Sequence, residues 1–180
     1  GVVLGVGAMN GQGGQGAVFQ RVAHGISTGG LFLIVGMLSD RRHTKLIAEY
    51  GGLKAITPKL VAAFLLITLA SIGLPTMNGF IGEFLTLIGT FRVNTWVTFF
   101  ATSGMILSAC YALWLYRRVI FGALEKPALR SLLDLSGAEL ATQAPLVVVA
   151  MFLGVYPSPV MTATPAAVVK NNSIGPGPRK

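Results

Sequence analysis

Long apolar runs alternate with short polar segments along most of this chain. Residues 17–38, 95–116 and 144–169 each form an apolar run long enough to cross about 30 Å of hydrocarbon as a helix. A fourth run, residues 60–91, would measure roughly 48 Å as a single helix, which is too long for an ordinary span. The pattern therefore predicts an all-α, polytopic membrane protein with about four to five transmembrane helices.

The fourth run contains a helix-breaking segment at residues 75–79, Pro-Thr-Met-Asn-Gly. A break at Pro75, Asn78 and Gly79 divides the run into two half-helices, as in the discontinuous helices of transporters. Irregular backbone at membrane depth is tolerated only where protein or a water-filled cavity surrounds it. We therefore expect a discontinuous helix in the protein interior, with Asn78 satisfying backbone groups that the break leaves free.

The remaining segments are short or polar. Residues 1–9 are too few to span a membrane and are expected to be the end of a truncated helix, and the glycine-rich residues 10–16 are expected to form a loop. Residues 45–59 are expected to hold a short surface helix interrupted at two glycines. The organisation predicted is a transmembrane domain over residues 1–169 and a disordered tail over 170–180.

The composition excludes several classes of protein. Hydrophobic residues make up 53% of the chain and charged residues 11%, whereas soluble domains average about 25% charged residues. The net charge of +8 does not indicate a nucleic-acid partner, because the basic residues lie between apolar runs rather than along a stripe. Two histidines and one cysteine are too few for a convincing zinc site, and no cofactor motif is present.

The basic residues predict the orientation in the membrane. Two loops contain most of them: Arg41, Arg42, Lys45, Lys54 and Lys59 in the first, and Arg117, Arg118, Lys126 and Arg130 in the second. By the positive-inside rule these loops face the cytoplasm or the mitochondrial matrix. The C-terminus then lies on the outer, periplasmic side.

Glu83 is the strongest candidate for function. It follows the break and lies within apolar sequence, where an ionisable side chain is costly and marks an ion or proton pathway by default. The alternative is a carboxylate that caps the N-terminus of the second half-helix, where the helix dipole favours negative charge.

His24, Ser27 and Thr28 form a second candidate group within the run 17–38. Imidazole can exchange protons near neutral pH, and residues at i+3 and i+4 lie on the same helical face as residue i. The three side chains are therefore predicted to carry protons together with Glu83. The alternative is a structural histidine bonded to a neighbouring helix, with the adjacent glycines serving close packing.

Two motifs resemble one known family. Residues 22–33, Val-Ala-His-Gly-Ile-Ser-Thr-Gly-Gly-Leu-Phe-Leu, precede Arg-Arg-His-Thr at 41–44, and Leu-Ala-Ser-Ile-Gly-Leu-Pro at 69–75 leads into Asn-Gly-Phe-Ile-Gly-Glu-Phe at 78–84. In order and spacing these resemble the C-terminal part of the M subunits of respiratory complex I, the proton-pumping NADH:quinone oxidoreductase, whose mitochondrial counterpart is chain 4.

The resemblance implies a fourteen-helix antiporter-like fold, of which this chain would hold about the last four helices. It implies that Glu83 is the terminal proton site and that His24 belongs to a central hydrophilic axis. It further implies a bacterial inner membrane or a mitochondrial inner membrane, with lipid and other membrane-arm subunits as partners. This chain would bind no NADH and contain no cofactor or redox centre, since NADH oxidation and quinone reduction would occur in other subunits.

Two other functions are open at this point. Subunits of multi-subunit cation/proton antiporters share the broken helix, although they more often have lysine at the position of Glu83, and membrane-bound hydrogenase complexes use related subunits. A purely structural scaffold, in which Glu83 is a buried cap, is the third possibility.

Overall fold

The computed structural model describes residues 1–122 and 127–164. The helices are α1 (Val2–Gly7), α2 (Gly11–Arg42), α3 (Pro58–Ser71), α4 (Asn78–Phe91), α5 (Thr95–Ile120), α6 (Gly137–Val155) and α7 (Ser158–Ala163). Short 3-10 turns occupy Ile47–Glu49, Leu53–Ala55 and Pro127–Leu129, and these described residues contain no strand. The all-α prediction is confirmed. The predicted tail at 170–180 lies outside the described residues.

Three helices, α2, α5 and α6, are long and apolar enough to cross a membrane. The half-helices α3 and α4 contain 14 residues each, or about 21 Å, so neither crosses alone. Counted as one discontinuous span, they give a fourth crossing. The described part of the chain therefore has the number of spans that its apolar pattern predicts.

The prediction of a loop at residues 10–16 is wrong, because α2 begins at Gly11. Asn10 caps this helix: its Oδ1 accepts a hydrogen bond of 2.8 Å from the Gly13 backbone N–H. Glycine disfavours helix by about 1 kcal/mol, but here it allows two helices to approach closely. A Cβ at Gly16 would lie 2.7 Å from the backbone nitrogen of Thr86 on α4. Packing between α2 and α4 therefore outweighs the local preference.

The discontinuity between α3 and α4 occupies residues 72–77, so Pro75 lies within it and Asn78 and Gly79 are the first residues of α4. Gly73, at φ +74°, donates its N–H to the Ala70 carbonyl at 3.4 Å, and Leu74 donates to the Leu69 carbonyl at 3.1 Å. These two bonds form a Schellman motif that closes α3, and the proline that follows prevents the helix from continuing.

The last predicted span is shorter than expected in its described part. α6 begins at Gly137 behind a capping box in which Ser136 and Glu139 bond each other's backbone N–H groups. It ends at Val155, two residues before Pro157, and α7 follows. Helices commonly end before proline, so the chain turns here rather than continuing to residue 169 as one helix.

The ends of α2, α3, α5 and α6 meet at one end of the bundle. Their main apolar cluster there includes Leu38, Leu60 and Ile120, all of them buried. Arg41 links the ends through a 2.7 Å ion pair with Glu139 and bonds to the carbonyl oxygens of residues 37, 133 and 134. The basic loops identified in the sequence therefore lie at the same end of the molecule.

Asp134 joins α3 to this end. Its carboxylate accepts hydrogen bonds from the backbone N–H groups of Lys59 and Leu60 in the first turn of α3, at 3.0 and 3.1 Å, and from Leu135 at 2.8 Å. Burial alone would raise the pKa of the Asp134 carboxyl group, but these three hydrogen bonds and the nearby Lys59 charge outweigh it and lower the pKa below its ordinary value.

Candidate functional site

Glu83 lies in the second turn of α4, just beyond the discontinuity, and is half-buried. Its carboxylate packs directly against Gly73, the left-handed residue that closes α3, and a Cβ at Gly73 would overlap the carboxylate oxygen Oε2. Glycine at that position therefore serves two purposes: it permits the positive φ and it leaves space for the carboxyl group.

Two cavities adjoin Glu83. The first, of about 260 Å³, is lined by polar side chains from three helices, namely Ser71, Thr86 and Ser108, together with apolar residues. The second, of about 230 Å³, lies between α4 and α5 and includes Thr102. Both are large enough for several water molecules, and the hydroxyl groups supply the polar partners that buried water requires. Glu83 therefore borders space that several water molecules can occupy.

The side chain of Gln20, on α2, packs beside Glu83: a Cβ at Gly82, the preceding residue, would overlap the Gln20 Oε1. Sequence reasoning missed this residue, because a glutamine near a helix end carries no charge and belongs to no motif. The one available signal was its spacing: Gln20, His24 and Thr28 are four residues apart and share one face of a helix. Only the packing of α4 on α2 shows that Gln20 lies against the residue that precedes Glu83.

The predicted group on α2 is brought together only in part. The Thr28 hydroxyl lies 3.3 Å from Nε2 and 3.4 Å from Nδ1 of His24. Ser27 is buried and its hydroxyl donates to the carbonyl oxygen of Ala23 at 3.0 Å, so it faces another direction. His24 itself is exposed on the surface formed by the described residues. The geometry joins Thr28, but not Ser27, to the imidazole.

Asn78 connects the discontinuity to α2. Its side chain is fully buried, and its Nδ2 donates to the Ala23 carbonyl oxygen at 3.5 Å, a long hydrogen bond. The sequence suggested that this amide satisfies backbone groups freed within the break. It bonds to α2 instead. It holds the start of α4 against the α2 turn that precedes His24.

The two cavities beside Glu83 are lined by its carboxyl group and by hydroxyl groups of α3, α4 and α5, whereas His24 lines neither of them. Among residues 1–122 and 127–164, no group of three or more metal-ligating side chains comes together. What this arrangement supplies is one carboxyl group surrounded by hydroxyl groups and by space for water.

Comparison with known proteins gives consistent matches. The family described as NADH:quinone oxidoreductase/Mrp antiporter, transmembrane region, matches residues 1–108. NADH-quinone oxidoreductase subunit M of Rhodobacter capsulatus is 55% identical over 157 residues, which are 87% of this chain and 31% of that protein. NADH-ubiquinone oxidoreductase chain 4 of Arabidopsis thaliana is 42% identical over 156 residues, 87% of this chain and 32% of its own length.

A solved structure shares the fold. A chain of respiratory complex I from Thermus thermophilus with bound NADH superposes with a TM-score of 0.85 at 34% identity, covering 94% of this chain and 36% of that one. This chain therefore spans about a third of the length of the curated relatives that it matches.

Proposed function

Because the chain belongs to the NADH:quinone oxidoreductase/Mrp antiporter transmembrane family, we propose that it is the C-terminal part of a proton-translocating membrane subunit of complex I. In this role, Glu83 exchanges protons with the outer face, and His24 and Thr28 carry them along α2. Proton movement is coupled to NADH oxidation and quinone reduction in other subunits. The names of the similar curated proteins support an M-type subunit.

The observation that carries the proposal is the position of Glu83. It is a half-buried carboxyl group within a membrane span, directly after a discontinuity, and beside cavities lined by hydroxyl groups. A proton site must bind and release its proton reversibly, so it needs both an apolar environment and a route for water. A carboxylate that only capped the N-terminus of α4 would need no cavity beside it.

The proposed topology follows from the two ends of the bundle. The end that contains Arg41 and Asp134 faces the cytoplasm, or the matrix in a mitochondrion, by the positive-inside rule. α4 then occupies the outer half of the membrane, and the C-terminus lies outside. Lipid and the neighbouring membrane-arm subunits cover the apolar surface, where residues such as Phe32 and Trp96 are exposed. The host membrane proposed is the bacterial inner membrane.

The test is Glu83→Gln in the full-length subunit within the assembled complex. Glutamine keeps the size and most hydrogen-bonding capacity of the side chain but cannot take up a proton. We expect proton pumping per NADH oxidised to fall, while the complex still assembles. Asp40→Asn is the matched control, since Asp40 is an exposed carboxylate near the end of α2, and this variant should pump normally. Normal stoichiometry in the Glu83 variant refutes the proposal.

The family also includes subunits of cation/proton antiporters, and the same experiment separates the two functions. Reconstituted membranes containing the intact complex should form a pH gradient when NADH is supplied. If the membranes instead accumulate sodium in response to an imposed pH gradient, without NADH oxidation and only with Glu83 present, the chain belongs with the antiporters.

A further inference from the structure

The two cavities beside Glu83 differ in the hydrogen bonds that their walls offer. The first lies between α3, α4 and α5, and the hydroxyl groups of Ser71 and Ser108 belong to its lining. Among the described residues that line the second, only Thr102 carries a hydroxyl group. A proton that leaves Glu83 for the outer face therefore has two candidate exits with different chemistry.

Ser71 and Ser108 leave their hydroxyl groups free for the first cavity. A serine in a membrane helix commonly donates to a carbonyl oxygen three or four residues earlier, as Ser103 does to that of Phe100 at 2.7 Å. Ser71 and Ser108 instead make no side-chain hydrogen bond with any described residue. Both hydroxyl groups can therefore donate to water and accept from it.

The second cavity offers water much less. The Thr102 hydroxyl already donates to the carbonyl oxygen of Thr98 at 2.8 Å, so its proton is not available. The stacked rings of Phe80 and Phe84, with centroids 5.4 Å apart, form part of the wall. Apolar cavities stay dry, because a buried water molecule needs roughly two to four polar partners. Water beside Glu83 should therefore collect in the first cavity.

The first cavity also extends in the outward direction. On α5 it is lined by Ser108, Gly104 and Ala101, which is a rise of about 10 Å along the helix axis. This direction leads towards Thr95, where α5 begins, at the end opposite its two arginines. A Cβ at Gly104 would meet no atom within 4 Å, so the space beside it is open.

We propose that the proton released by Glu83 leaves through the first cavity, on water molecules held by Ser71 and Ser108, and that the second cavity stays dry. In this step the O–H bond of the Glu83 carboxyl group breaks and a water molecule in the cavity takes the proton. Glu83 remains as the carboxylate until the next proton arrives. The inference rests on the proposed function of Glu83 and adds the route that the proton takes.

The first test fills one cavity at a time in the full-length subunit of the assembled complex. Ala101→Leu and Ala109→Leu make the same substitution on the same helix, and Ala101 lines only the first cavity and Ala109 only the second. Ala101→Leu should lower NADH-driven proton pumping by about fivefold or more, the factor lost with one hydrogen bond to a bridging water. Ala109→Leu should pump as the wild type does. Equal effects, or a loss in Ala109→Leu alone, overturn the proposed route.

The second test removes the hydroxyl groups without adding bulk. The double variant Ser71→Ala, Ser108→Ala should again lower proton pumping by about fivefold, because the water molecules lose these partners. Ser103→Ala is the matched control, since that hydroxyl bonds within α5 and lines neither cavity, and it should pump normally. Normal pumping in the double variant overturns the role of the two serines.

Cysteine labelling measures water in the cavities directly, which a merely structural effect on pumping would not change. The exposed Cys110 is first replaced by alanine, and Ala101→Cys and Ala109→Cys are then made separately. A small cationic methanethiosulfonate reagent is added from the outer face; it reacts with the thiolate, which forms only in contact with water. Ala101→Cys should react faster than Ala109→Cys. Equal rates, or the reverse order, overturn the inference.

The outcomes separate the route from the function of Glu83. If Glu83→Gln pumps normally, the proposed function itself has failed. If Glu83→Gln loses pumping while Ala101→Leu and the double serine variant pump normally, only the route has failed. If Ala101→Leu does not assemble, the serine variants and the labelling rates decide the outcome.

Discussion

Gly154, near the end of α6, offers a direct test of how the discontinuity is held. A Cβ at this position would lie 2.5 Å from the carbonyl carbon and 2.6 Å from the Cα of Met77, where ordinary contacts are 3.4–4 Å. It would also overlap the Thr76 carbonyl oxygen. These are backbone atoms and cannot rotate away, so in Gly154→Ala the helix would have to retreat by about 1 Å from the break.

The expected magnitude follows from two opposing terms. Overpacking of this kind costs typically 1–3 kcal/mol, and the better helix propensity of alanine returns at most about 1 kcal/mol. We expect Gly154→Ala to lower the free energy of unfolding by about 1–2 kcal/mol. Gly36→Ala on α2 is the control, because a Cβ there meets no atom within 4 Å, and it should be neutral or stabilising.

The assay is an SDS titration of the full-length subunit in mixed detergent micelles, followed by tryptophan fluorescence. The two variants should differ in unfolding free energy by about 1–3 kcal/mol, with Gly154→Ala the less stable. Equal stability would mean that α6 does not pack on residues 76 and 77, and the account of how the break is enclosed would have to be abandoned.

Three further predictions concern other contacts. Gly73→Ala should reduce both proton pumping and stability, because the added Cβ displaces the Glu83 carboxylate. Gly122→Ala is the control: Gly122 also has a positive φ but lies in open space, so this variant should cost only about 1–2 kcal/mol of backbone strain and should pump normally. Arg41→Ala should lower the free energy of unfolding of the subunit by about 1–3 kcal/mol, because it releases the segment before α6. The melting temperature should fall as a result, and an unchanged melting temperature would contradict this. The lowered pKa of Asp134 implies a contribution to stability that is present at pH values above the pKa of about 3.9 of an unfolded aspartate and is lost as the pH falls through the folded pKa. Asp134→Asn should remove this acid dependence of the melting temperature. The same pH dependence in wild type and variant would refute the prediction.

The spans and the discontinuity could be read from the sequence because membrane insertion depends on local properties. A run of about 20 apolar residues forms helix in lipid whatever its neighbours are, since every backbone group must be satisfied within the segment. Pro75 stops a helix for an equally local reason. Glu83 stood out because one charge in such a run is conspicuous without knowledge of its contacts.

The sequence by itself determined the all-α architecture and the number of crossings, and it singled out Glu83 as the residue to propose for a proton site. Only the tertiary structure decided that residues 11–16 are helical, that Thr28 rather than Ser27 meets His24, and that Gln20 packs against Gly82. These three features have a common physical reason. Each depends on how closely α2 and α4 pack or on which rotamer a side chain adopts. Those energies arise between segments far apart in the chain, and periodicity along one segment does not contain them.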